Sequence, residues 1–175
     1  METTEGEIDT TQDGADIALC EDNIDVVLQQ CIRRLEGWTH TKQGQIIYDS
    51  SVDPFTAQGL FTAVCQKPNI AIVGFTTDGN VFGGFYSVAV FDTCLFFHDP
   101  HLFAFSVVQD GTTLTATRFT LKAVYEKNAF VFFLENSPNG FVYFHGGKGG
   151  FFLGDPDSKS YCQEMATTFE GLDEE

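Results

Sequence analysis

Three pairs of β-prone runs, each pair divided by a short turn signal, constrain this chain more than any other feature. Ile70 to Phe75 leads through Thr77-Asp78-Gly79-Asn80 into the run Val81 to Val90. Leu102 to Val108 and Thr113 to Phe119 flank Asp110-Gly111, and Phe130 to Leu134 and Phe141 to Phe144 bracket Asn136-Ser137-Pro138-Asn139-Gly140. Asp-Gly between such runs favours a tight reversal, because glycine takes the positive φ that hairpin turns need. Hairpins in series pair neighbouring strands antiparallel, so the spacing predicts a sandwich or barrel and excludes a parallel sheet.

Helical spacing precedes the hairpins. Ile24, Val27, Leu28, Cys31, Ile32 and Leu35 fall on one face of an amphipathic helix over residues 21–37, with Asp22 and Asp25 at its start and Arg33 and Arg34 at its end. Its apolar stripe must be covered, by the domain or by self-association through residues 21–36. A short strand is expected at Gln45 to Tyr48, then a helix with Asp53 as N-cap and Pro54 at its first position, continuing through Ala57, Leu60, Phe61, Val64 and Cys65.

Hydrophobic residues make up 43% of the 175-residue chain and 19 residues are Phe, enough for one packed core. The formal charge of −16 resides mainly at the ends: residues 1–25 hold nine acids and no Lys or Arg, and residues 170–175 hold four more acids. Residues 1–20 are expected to be a disordered acidic tail and 170–175 a solvated acidic C-terminal tail, leaving residues 38–169 as the domain. The nine Lys and Arg are scattered, which argues against nucleic-acid binding. Neither a secretory signal nor an apolar run long enough to span a bilayer is seen, and five cysteines without close pairing suggest no disulfides. A cytoplasmic location is expected, peripheral to organelle membranes where a partner holds the chain there.

Candidate chemistry is sparse. In His145-Gly146-Gly147-Lys148-Gly149-Gly150 the lysine lacks the following Ser or Thr and the helix of a phosphate loop, so these glycines read as a tight structural turn. Cys94, His98 and His101 have ligand-like spacing but no fourth partner for zinc, and Asp99-Pro100 reads as a turn. Cys65 or Cys162 beside His145 is the sole thiol and base pairing to consider, and no nucleophile elbow, zinc-protease helix or dinucleotide fingerprint is present. No catalytic residue, cofactor or metal is assigned.

Several local features fall into one order: Trp38, Ile46-Ile47-Tyr48-Asp49-Ser50, Asp53, Ile70 to Val73, Thr77-Asp78-Gly79-Asn80-Val81-Phe82-Gly83-Gly84-Phe85-Tyr86-Ser87, Asp99-Pro100, Phe103 to Ser106 and the glycine cluster. This order resembles the TLDc domain family over about residues 38 to 162. The family-motif positions are Tyr48, Asp49, Ser50, Asp53, Gly79, Phe82, Gly83, Gly84, Phe85, Ser87, Gly146, Gly147, Gly149 and Gly150. The resemblance implies an α+β, mostly β fold: two antiparallel sheets packed as a sandwich with flanking helices. It also implies a non-catalytic protein-interaction module of the oxidative-stress response, acting on the vacuolar-type proton ATPase. The alternative reading is a redox-active cysteine protein that scavenges or senses oxidants directly. The chain departs from the family pattern after Cys162, where its closing strand is missing or degenerate, which leaves a sheet edge for the acidic tail or a partner to cover.

Overall fold

The strand Val81–Tyr86 is buried at every position but Phe82, which is half-buried, and that pattern fixes the layering. A strand with one wet face alternates between buried and exposed positions, whereas one covered on both faces does not. The computed structural model describes residues 24–109, 113–133, 141–145, 149–154 and 161–172. In it Val81–Tyr86 is the second strand of an antiparallel sheet ordered β1 (Ile70–Phe75), β2 (Val81–Tyr86), β3 (Phe103–Gln109), β4 (Thr113–Thr120). A second antiparallel sheet is ordered β5 (Phe130–Phe132), β6 (Val142–His145), β7 (Gly150–Leu153), β8 (Tyr161–Gln163). All three anticipated pairings form, β1 with β2, β3 with β4 and β5 with β6. The turns at 110–112 and 134–140 and the acidic segment 1–20 lie outside the described residues.

Alternation sends the side chains of the first sheet to two different cores. Val81, Phe85, Phe103, Phe105, Val107 and Val108 meet Val27 and Cys31 of helix α1 (Ile24–Thr39), with Leu35 and Trp38 packed alongside. A bulge between Ser106 and Val108 turns the consecutive Val107 and Val108 to the same buried face. Trp38 meets Phe103 edge to face at 5.9 Å, and the Arg118 guanidinium lies 5.0 Å above the same Phe103 ring. The opposite face packs on the second sheet, where Tyr86 stacks on Phe130 at 4.6 Å and Phe82 meets Phe151 at 6.0 Å. The order of layers is helix, sheet, sheet. Helix α2 (Ala57–Val64) adds Ala57, Leu60 and Val64 to the core between the sheets. Of the helical stripe left open between domain and partner, Val27, Cys31 and Leu35 are covered by the chain's own sheet, while Ile24 is 40% exposed.

The two sheets approach closely at Gly84. A Cβ there would lie 2.6 Å from a Phe144 ring atom and 2.7 Å from one of Phe151, and those rings are stacked on each other at 4.6 Å. No larger residue fits without parting the sheets. Gly149 is similarly confined, because its Cβ would meet the Glu164 carbonyl oxygen at 1.9 Å.

Three local expectations change. Gln45 to Tyr48 forms no strand, and among the described residues no strand pairs with it. Helix α2 begins at Ala57 with Thr56 as N-cap, its hydroxyl accepting from the Gly59 amide at 3.0 Å, because Asp53 is already engaged with the Asp49 amide at 2.8 Å. The C-terminal stretch is no free tail up to Leu172: after the short helix α3 (Met165–Thr168), Phe169 is fully buried and bridges to Leu121, while the Glu170 amide donates to the Thr120 carbonyl at 2.9 Å. Residues 173–175 lie outside the described residues.

Gly84→Ala should lower the stability measured by urea unfolding by about 1–3 kcal/mol. Gly37→Ala, in helix α1 with nothing within 4 Å of the added carbon, should raise it by about 0.5–1 kcal/mol.

Candidate functional site

The motif positions gather at separate places. Tyr48, Asp49, Ser50 and Asp53 make one surface turn: the Tyr48 hydroxyl donates to the Pro54 carbonyl at 2.9 Å, and the Asp49 carboxylate accepts from the Ser51 amide and hydroxyl at 2.9 and 2.8 Å. Those two bonds hold the Asp49 carboxyl below its ordinary range, while burial and then the charges of Asp53 and Asp49 push the Tyr48 hydroxyl up. Ser50 is exposed. Gly79, with φ of 86°, turns the β1–β2 hairpin. Gly83 abuts the Ile72 carbonyl oxygen, Gly84 the rings of the second sheet, and Phe85 stacks on Phe103 at 4.9 Å. Gly146 and Gly147 lie outside the described residues; Gly149 and Gly150 are buried beside α3, and the Thr168 hydroxyl donates to the Gly149 carbonyl at 2.8 Å.

Ser87 is the motif residue that leads to a site. Its amide and hydroxyl donate to the two carboxylate oxygens of Asp99 at 2.5 and 2.7 Å, and the His101 amide donates to one of them at 2.9 Å. Asp99 has no solvent exposure, and these donors satisfy its carboxylate oxygens. Capture of the Ser87 amide also explains why β2 ends at Tyr86 although the apolar run continues to Val90. The carboxylate thereby ties the start of the loop 87–101 to its end.

Further bonds fasten the loop along its length. The Gln66 amide donates to Val90, the Cys94 amide to Phe132 and the Phe97 amide to Phe130, at 2.7, 2.6 and 3.0 Å, and the Ala129 amide returns a bond to Phe97 at 2.9 Å. Residues 94–97 therefore cover the outer edge of β5, and Phe97 stacks on Phe130 at 5.2 Å. Between these fastenings Phe91 is 68% exposed, Leu95 54% and Phe96 50%. Cys94 sits among them with φ of 59°, a left-handed turn that redirects the chain. The outcome is an apolar surface carried on an ordered loop.

Of the residues considered for metal chemistry, the His98 ring is engaged by the backbone. His98 Nδ1 lies 2.9 Å from the Glu126 carbonyl oxygen, and among the described residues no group of three or more His, Cys, Asp or Glu side chains is placed to hold a metal ion. Cys65 is half-buried near Tyr86, and the His145 side chain lies outside the described residues. The Tyr86 hydroxyl, buried in the core between the sheets, has no hydrogen-bond partner among the described residues. Sequence reasoning missed both Tyr86 and the role of Asp99. The Asp-Pro pair signalled a turn, but its tie to a serine 12 positions earlier had no local signature.

No family model, curated protein or solved structure matches the chain. Among the described residues no helix is long and apolar enough to cross a membrane.

Asp99→Ala should destabilise by about 2–4 kcal/mol and Asp99→Asn by about half as much, read from denaturation midpoints, since Asn keeps one acceptor oxygen. Burial pushes the Cys31 thiol from 9.0 up to about 12 and also raises the Tyr86 hydroxyl. The folded state then holds these protons more tightly than the unfolded chain. The Cys31 contribution is complete below pH 9 and is lost as pH rises toward 12, so Cys31→Ala should flatten the fall in stability across that window.

Proposed function

We propose that this chain is a non-catalytic, TLDc-like protein-interaction module of the oxidative-stress response, with vacuolar-type proton ATPase subunits among its partners. The observation that carries the interaction reading is the exposure of Phe91 and Leu95 on a loop fastened by the buried Asp99 and by the backbone of β5. Exposed large apolar side chains cost solubility, and a loop already ordered before binding loses little conformational entropy on contact. The partner's identity follows from the TLDc resemblance of Gly79 to Ser87.

A second reading, direct oxidation of a cysteine, draws support from Cys94, which is exposed on the same loop. Cys31 is a poor candidate for that role, being fully buried with its thiol held protonated at neutral pH.

Affinity capture from cells with quantitative mass spectrometry should enrich ATPase subunits, and the pair Phe91→Ser and Leu95→Ser should reduce that enrichment by about tenfold at an unchanged melting temperature. Equal enrichment from wild type and the loop variant would remove the loop from the interface. In the native protein at pH 8, iodoacetamide should modify Cys94 and leave Cys31 untouched; loss of peroxide protection in Cys94→Ser with ATPase binding intact would favour the redox reading.

A further inference from the structure

Each sheet has two outer edges, and they are protected unequally. Residues 94–97 cover β5, β8 is only three residues long, and β4 carries Arg118 among threonines. Edge strands are normally kept from pairing with other chains by cover, shortness, charge or proline. Among the described residues nothing covers the six-residue β1, Ile-Ala-Ile-Val-Gly-Phe, by backbone bonding, and no charge or proline occurs between Pro68 and Asp78.

The register shows which backbone groups are free. The Thr76 amide donates to the Asn80 carbonyl at 3.0 Å, and pairing alternates from there. Gly74, Ile72 and Ile70 therefore exchange bonds with Phe82, Gly84 and Tyr86, while the N–H and C=O groups of Ala71, Val73 and Phe75 point away from β2. Among the described residues no backbone group bonds to them. The side chains are equally unfinished: Ile70 and Ile72 lean on the core between the sheets and Ala71 and Val73 on the α1 core, all half-buried, and Phe75 is 40% exposed.

We propose that β1 accepts an extended, basic segment of a partner protein as a fifth strand of the first sheet. Three outward donor and acceptor sets at alternate residues fit a β-strand and no other backbone conformation. Asp78, held by the Asn80 side chain at 2.9 Å, places a carboxylate at the hairpin end of the strand, which attracts a basic segment, and the net charge of −16, concentrated at the chain's ends, repels its own copies at long range. The proposal rests on the interaction-module reading but uses a surface distinct from the aromatic loop.

Amide hydrogen exchange of the full-length, 15N-labelled chain tests it, with the peptide Lys-Val-Thr-Val-Thr-Val-Lys as probe and a counterpart with glutamate at both ends. The lysine peptide should slow exchange at Ala71, Val73 and Phe75 by about tenfold or more, leave Ile72 and Gly74 unchanged, and exceed the glutamate peptide in effect. Val73→Pro removes one outward N–H without touching the β2 ladder, and the exposed Phe75→Lys adds a like charge; each should weaken the slowing by about tenfold. If Val73→Pro fails to fold, Phe75→Lys decides alone at a wild-type melting temperature. No slowing, slowing along β4 instead, or slowing that grows with protein concentration without peptide would overturn the proposal, the last by giving the edge to a second copy. The variant carrying Phe91→Ser and Leu95→Ser should respond to the peptide like wild type. Slowing at β1 with no cellular partner captured would sink the proposed function alone, whereas capture that depends on the loop with no slowing at β1 would sink the edge proposal alone.

Discussion

The contact of Gly84 with the stacked rings of Phe144 and Phe151 sets the distance between the two sheets, and most of the structure depends on that distance. Because β2 carries no side chain at this point, the rings of β6 and β7 lie against its backbone, and Tyr86 two residues on reaches the Phe130 and Phe132 rings of β5. Aromatic rings in offset and edge arrangements gain modestly beyond the area they bury, and here they connect three strands of one sheet to one strand of the other. The same strand turns Val81 and Phe85 toward α1, so the helix is held by the far side of the element that holds the second sheet. Disturbing β2 disturbs both cores together.

Asp99 extends that dependence outward. A fully buried carboxylate is tolerable where several donors converge on it, and here they come from Ser87, at the end of β2, and from His101, two residues before β3. The charge therefore closes the long connection between two adjacent strands. That closure, together with the bonds to β5, is what lets Phe91 and Leu95 stand in solvent without the loop collapsing onto them. Fold and candidate surface share one buried charge.

The hairpins were legible because their signals are local: Asp78-Gly79 specifies a reversal within four residues, and the period-two runs on either side supply the strands. The role of glycine in close approach was also legible at the level of residue type, although which rings approach Gly84 depends on strands some 60 residues later and leaves no trace in neighbouring sequence. Asp53 misled for a physical reason. Asp followed by Pro is a sound helix start, but Asp49 four residues earlier competes for the same carboxylate, and Thr56 is left to cap the helix. Gln45 to Tyr48 reads as a strand from composition alone, yet strand structure needs a partner's hydrogen bonds, and among the described residues no strand pairs with it. The loop site was illegible for the opposite reason: its apolar run, Leu95-Phe96-Phe97, looks like core, and only the anchoring of Phe97 on Phe130 turns its neighbours outward.

The sheet edges show how local chemistry and topology combine. Phe169 and Glu170 are tied to Leu121 and to the end of β4 at Thr120. Protection at β4 then comes from that tie and from Arg118, and protection at β5 comes from a loop that also displays the aromatic surface. The residues that guard these edges also hold the interior together. Arg118 lies over Phe103 and bonds the Trp38 carbonyl at 3.3 Å, and Phe97 stacks in the core. No such residue lies on β1. Its side chains are committed to the two cores on either side, Ile72 to one and Val73 to the other, so a charge at those positions would be paid for in packing. The strand that must complete both cores is thus the one least able to guard its own edge, and that conflict follows from its place at the border of a sheet covered on both faces.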